Sequence, residues 1–258
     1  MSPQELKQVA QLLVSKTLLE QPVASTRPRG ETAVTVVRSL CDGRRPPGLY
    51  SCPEEQSPGV GGYLSRMAFY EEASIDAFHA LAAELRAHGF PEVLAKAAER
   101  AAADELRHAQ WLRALAAKHG ALGTRPLVKQ TGVRSLEELA LDNAVEGCGR
   151  EAFGSLVGWY QAATAGDDLF REVIMRIAED ETRHAALSYA IHTVARFRVT
   201  SEVRRRIDEV REEALTTLAS SVAERPPATL AKAFGLPSGS AARRLAQDFA
   251  HTVLAKAA

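Results

Sequence analysis

Two hexapeptides decide how this chain folds: DELRHA, running from Asp104 to Ala109, and DETRHA, running from Asp180 to Ala185. The second begins 76 residues after the first (180 minus 104). Each sets a Glu three residues before a His, Glu105/His108 and Glu181/His184, within a stretch whose apolar residues recur at helical spacing. At about 100° of rotation per residue, positions i and i+3 share one helix face. Each helix therefore offers a carboxylate and an imidazole side by side, and two such helices offer half the donors of a two-metal site.

The flanking sequence supplies candidates for the other half. Residues 63–87 read as a helix with Glu71, Ile75, Phe78, Ala82 and Leu85 on its inward stripe. Gly89 and Pro91 close it and open a second helix over 92–118, whose stripe carries Glu105 and His108. A third runs from about Ser135, an N-cap with Glu138 three residues on, to about Ala163. Its stripe is Leu139, Asn143, Glu146, Phe153, Val157 and Tyr160, and the Gly147/Gly149 pair within it predicts close packing or a local distortion. A fourth spans about 169–197 and carries Glu181 and His184.

Helices one and three also resemble each other. Setting Ala77-Phe78 on Ala152-Phe153, an offset of 75, places Glu71 on Glu146 and Asp76 on Glu151. The order Glu … Glu-x-x-His then occurs twice, with separations of 34 residues (71 to 105) and 35 residues (146 to 181). Two antiparallel helices and a short loop need about this length to bring inward side chains level. Two rivals stay open. Glu72 shares a face with Asp76 and His79, a polar stripe, and Glu151 lies about 140° round the helix from Glu146.

Four carboxylates and two imidazoles in an apolar core are costly unless compensated. Two ferrous ions carry four positive charges, which Glu71, Glu105, Glu146 and Glu181 balance, with His108 and His184 completing the set. Oxygen and nitrogen donors without thiolates suit iron or manganese. The expected cofactor is two Fe, with Mn/Fe and di-Mn as alternatives.

One Glu from each of two helices plus Glu-x-x-His from two others is the ligand pattern of di-metal bundles. Over residues 65–197 the chain resembles the ferritin-like di-iron carboxylate superfamily. The doubled DExRH form is similar to the site motifs of bacterial multicomponent monooxygenase hydroxylases, and the text EEASIDAF and VEGCGREAF looks like an uncharacterised bacterial ferritin-like family. The resemblance implies that Asp104 hydrogen-bonds His184 and Asp180 hydrogen-bonds His108, a bond that fixes tautomer and raises ligand basicity. It also implies that Glu151 is an additional or shifting ligand if the rubrerythrin-like pattern holds.

The remaining sequence frames this core. Residues 4–20 form a modest amphipathic helix, a break falls at Arg27–Gly30, and Thr32–Leu40 is ambiguous. From Cys41 to Gly62 five glycines and Pro46, Pro47, Pro53 and Pro58 mark an irregular loop. Residues 1–62 are thus expected to be a wrapping extension, 63–198 a four-helix bundle, and 199–258 two further helices (201–223 and 239–256) joined by a Pro-containing link. The fold class is all-α.

Thirty-two basic and 32 acidic side chains cancel, giving no electrostatic reason to expect nucleic acid or an anionic membrane as partner. No stretch reaches the roughly 20 apolar residues of a membrane span. The N-terminal residues lack the pattern of a secretory signal, so a cytoplasmic location is expected. Three Cys without a CxxC pair argue against a disulfide framework or a rubredoxin-type site, although Cys41 and Cys52 could pair. Arg107 and Arg183 are expected to tie the two motif helices together. His192, two turns beyond His184, either approaches the site or is a surface or core histidine. Cys148 is a small packing residue, and Tyr160, Tyr189, Trp111 and Trp159 either carry electrons or fill the core.

Three functions remain at this level. The first is a di-iron oxidase or oxygenase that uses O₂ on a small organic substrate, with an external electron donor, as a monomer or homodimer. The second is ferritin- or rubrerythrin-like handling of iron or peroxide with the same ligands. The third is a non-catalytic helical scaffold.

Overall fold

The structure, a computed structural model, describes residues 1–19, 43–51, 59–221 and 226–255. The expected break at Arg27–Gly30, the Thr32–Leu40 segment and the Cys41/Cys52 pair lie outside these residues. Within them the chain is all-α, with one isolated antiparallel bridge, Leu49 to Val128, and no strand. No helix among them is long and apolar enough to cross a membrane.

Helix α1 spans Pro3–Leu19, α2 Val60–Ala87 and α3 Glu92–Lys118. Next come α4 (Leu136–Asp142), a π-helical segment (Asn143–Glu151) and α5 (Ala152–Thr164), which together fill the place of the single third helix expected from sequence. Helix α6 spans Asp168–Arg196, α7 Ser201–Ser221, α8 Ala228–Phe234 and α9 Gly239–Ala255. The start of α4 is fixed by a capping box. Ser135 Oγ accepts from the Glu138 amide at 3.2 Å, and Glu138 Oε2 accepts from the Ser135 amide at 2.9 Å.

The inward stripe of α3 is buried as its periodicity demands, from Ala98 through Glu105 and His108 to Leu115. Helices α2 and α3 pack along each other, α5 packs on α6, and α3 meets α6. The extra helices close the other flanks. Helix α1 buries Leu6, Ala10, Leu13 and Val14 and is pinned by Lys16 to Asp248 (2.9 Å) and Lys7 to Glu179 (2.9 Å).

The described part of the Pro-containing link holds a further short helix, α8. Phe234, at the end of α8, stacks on Tyr63 with ring centroids 5.2 Å apart and meets Phe170 at 4.4 Å. Seven residues are too few to declare a helical period, but two aromatic contacts anchor them.

The core is split in two along the helix axes. One apolar cluster joins Leu64 and Met67 of α2 to Leu112 and Leu115 of α3 and to Ile174 and Ile177 of α6. The other joins Phe78 and Leu81 to Ala98, Ala101, Leu187 and Ile191. Between them, on α2, α3, the π segment and α6, lies a layer of buried polar side chains.

Candidate metal centre

That layer contains Glu71 from α2, Glu105 and His108 from α3, Glu151 from the end of the π segment, and Glu181 and His184 from α6. All six are buried, and Glu105 and His108 have no exposed surface. Their donor atoms fall into two groups, each within 4.8 Å across: Glu71, Glu105, His108 and Glu181 on one side, and Glu151, Glu181 and His184 on the other.

Glu181 belongs to both groups, its Oε1 lying 3.7 Å from His108 Nδ1 and 3.5 Å from His184 Nδ1. Glu105 also reaches both imidazoles, at 3.9 Å from His108 Nδ1 and 3.2 Å from His184 Nδ1. Two carboxylates thus span two positions. Glu71 stands beside His108 (3.3 Å) on one flank, and Glu151 closes the other.

Both histidines turn Nδ1 inward and Nε2 outward. Asp180 Oδ2 lies 3.0 Å from His108 Nε2, and Asp104 Oδ2 lies 3.2 Å from His184 Nε2, so each aspartate braces the histidine of the opposite helix. The aspartates are held in turn by arginines. Arg107 donates to Asp104, Arg183 donates to Asp180, and Arg183 crosses to Asp104 at 3.2 Å. Arg107 lies 3.6 Å from Asp180. Burial alone would raise the aspartate pKa values, but the adjoining imidazoles and arginines hold both below the usual carboxylate range.

The electrostatics of the inner layer are those of a crowd of acids. Burial, and then the charges of Glu71 and Glu181, push the Glu105 carboxyl well above its ordinary range. Burial pushes Glu151 up to about 7 against the pull of Arg44. Burial works to lower His108, yet hydrogen bonds to Asp180 and Glu71 raise it to about 9. His184 rises likewise, with Glu181 the main source overcoming burial.

Several polar atoms in this layer have no hydrogen-bond partner: both oxygens of Glu105, Oε1 of Glu151, Oε1 of Glu181 and Nδ1 of His184. Buried polar atoms are normally paired, so five orphans converging from three segments need an account. Divalent cations would supply it, since they satisfy lone pairs and neutralise carboxylates together. The donor set, hard oxygens with two imidazole nitrogens, fits iron or manganese.

Sequence periodicity had placed Glu146 in this layer, and the structure corrects that placement. Glu146 is half-buried and turned toward Arg150, with which it pairs at 2.9 Å. Glu151, 2% exposed, stands where Glu146 was expected. The cause is the π segment, in which the Ala152 amide bonds back five residues to the Gly147 carbonyl. Wider turns rotate less per residue, so the lag accumulated from Asn143 brings Glu151 onto the inner face. Gly147 permits this, because a Cβ there would sit 2.3 Å from Ser188 Oγ. Glu72, the rival of Glu71, lies outside the layer, paired with Arg113 and, at 3.3 Å, with Arg125.

One residue was missed altogether. Arg44, 2% exposed, reaches from the 43–51 segment to Glu151 Oε2 at 3.3 Å, Asp142 at 3.2 Å and Asn143 Oδ1 at 3.4 Å. Ser188 Oγ donates to the same Glu151 oxygen at 3.1 Å, so Oε2 is tethered while Oε1 faces the centre. Gly43 passes so close that a Cβ would lie 3.3 Å from Glu105 Oε2. Nothing in the Pro/Gly-rich sequence around Arg44 has a period that could announce this.

The other candidates have ordinary places. Cys148 and Tyr160 are core residues, and Tyr189 donates to the Cys148 carbonyl at 3.1 Å. Trp111 sits 6.0 Å from His108 ring to ring, and Trp159 donates to Thr182 at 3.0 Å. No protein-family model, curated protein or solved structure matches this chain.

Proposed function

We propose that this chain is a ferritin-like di-metal carboxylate protein, with a four-helix bundle at its heart, that activates dioxygen to oxidise a small organic substrate. The convergence of unpartnered donor atoms from Glu105, Glu151, Glu181 and His184 carries the reading. Glu105 and Glu181, each close to both imidazoles, would help to hold both metals. Glu71 and His108 would complete one, and Glu151 and His184 the other. A pair of ferrous ions held there would supply electrons for the reduction of dioxygen, with an external donor as their source.

The chain's own residues set the conditions for that chemistry. Asp104 and Asp180 hold the histidine protons on Nε2, leaving each Nδ1 lone pair for the centre. Arg44 and Ser188 fix one oxygen of Glu151 and leave the other unencumbered. Phe78, with its ring 5.0 Å from that of His184, walls one side with hydrocarbon, and the Gly43–Arg44 backbone covers another. Such a layer, closed above and below by apolar clusters, keeps bulk water from the reacting groups.

Anaerobic titration with Fe(II) tests the proposal. About two irons per chain are expected, with Glu181→Gln losing both and His108→Ala losing the position beside Glu71. An intact chain that binds neither iron nor manganese stoichiometrically would overturn it. Loaded protein that turns over hydrogen peroxide without organic substrate would move the assignment to peroxide handling on the same ligands.

A further inference from the structure

Away from the metal centre, α6, α7 and α9 border a cleft of about 610 Å³. Its charged lining is three arginines, Arg196 from α6 and Arg204 and Arg211 from α7, against two carboxylates, Asp208 and Glu212, with His192 beside them. Arg211 is 8% exposed, and among the described residues its one hydrogen-bond partner is His192 Nε2 at 3.5 Å. The Nε atoms of both Arg211 and Arg204 are buried without a hydrogen-bond partner. Among the described residues neither guanidinium pairs with a carboxylate. Asp208, one helical turn from each, is instead paired with Arg196, and Glu212 is exposed.

A guanidinium buried without a counter-charge is destabilising, and replacing such a group by hydrocarbon usually stabilises a fold. Folding gives no reason for Arg211 to face this cleft, whereas a ligand does. The planar guanidinium fork matches carboxylate and phosphate oxygens, and two of them with free N–H groups on one wall form a receptor for an oxyanion. His192 is held down to about 4 by burial and by Arg211, so at neutral pH it is uncharged and accepts the one hydrogen bond Arg211 makes. The apolar part of the wall includes Tyr189, Val253 and Leu254. The volume lies within the roughly 300–1,000 Å³ of small-molecule sites.

We propose that this cleft binds a small organic anion, its carboxylate or phosphate head held by Arg211 and Arg204 and its apolar body lying against Tyr189, Val253 and Leu254. None of these residues is among the six of the metal centre, so the proposal stands or falls independently of the metal reading.

Calorimetric titration of the full chain with octanoate, octyl phosphate, inorganic phosphate and octanol tests it. The two amphiphilic anions should bind one per chain, the better of them identifying the preferred head. Octanol should bind at least about tenfold more weakly, a difference of about 1.4 kcal/mol. Arg211→Met should weaken the preferred anion at least tenfold while the ligand-free melting temperature holds or rises, which separates loss of the site from loss of the fold. Arg204→Met should cause a smaller loss. Failure of both anions to bind, equal binding of octanol, or unchanged binding by Arg211→Met would overturn the proposal. Inorganic phosphate binding as tightly as octyl phosphate would overturn the part assigned to the apolar wall.

Discussion

His108 shows how little freedom the site leaves a single side chain. Its Nδ1 faces Glu71, Glu105 and Glu181, its Nε2 is taken by Asp180, and its ring is fully buried. Asp180 is in turn held by Arg183, so the orientation of the imidazole is set two shells out. Asp180→Asn keeps the shape and removes the charge. Metal affinity at the His108 position should fall about 10- to 100-fold, with stoichiometry preserved at saturating metal. Asp104→Asn should do the same at the His184 position. Stepwise metal titration followed by competition with a chelator reads both effects, and unchanged affinity would mean the aspartates serve only to join α3 to α6. Arg44 provides a second test at this scale. Arg44→Met would strip buried Glu151 of its guanidinium partner and should destabilise the metal-free fold by about 3 kcal/mol in denaturant unfolding.

At the scale of elements, the π segment is what converts a repeated sequence into an asymmetric site. Glu105, His108, Glu181 and His184 were legible in the sequence because their placement needs only local α-helical geometry. Glu71 was legible because α2 keeps that geometry through its whole length. Glu146 misled because its neighbours Asn143 and Phe153 do sit inward, as α-helical counting requires, while the turns between them do not follow it. The Gly147/Gly149 pair was the available signal, but two glycines announce a distortion without giving its size. Arg44 and α8 were illegible for a different reason, since each is fixed by contacts distant in sequence: Arg44 by Glu151, α8 by Tyr63 and Phe170. The π segment yields a paired prediction. Glu146→Ala should leave metal loading within about twofold, removing only an exposed-side pair with Arg150 of small value. Glu151→Ala should weaken the His184 position more than tenfold. Loss on Glu146→Ala with none on Glu151→Ala would show that the segment relaxes to an α-helix when metal binds.

For the molecule as a whole, the decisive fact is that two apolar clusters enclose a layer of acids and imidazoles whose protons depend on what fills it. In the metal-free fold Glu105, Glu151, His108 and His184 all have pKa values raised above their ordinary ones. A raised group binds more protons folded than unfolded, so its stabilising contribution is full at low pH and is lost as pH rises through the folded pKa. For His108 the window runs from 6.5 to about 9 and is worth about 3 kcal/mol. His192 acts in the opposite sense. Its pKa is lowered to about 4, so its protonation erodes stability as pH falls from 6.5 toward 4. The metal-free protein should therefore lose stability as pH rises from 6 toward 9. Metal binding requires the carboxylates ionised and each Nδ1 free, so it releases protons and strengthens as pH rises. The melting temperature of the metal-loaded chain should exceed that of the metal-free chain by a margin that widens from pH 6 to pH 9. Scanning calorimetry at constant ionic strength measures that margin, and a gap that stays constant or narrows would show that these buried protons are not displaced by metal.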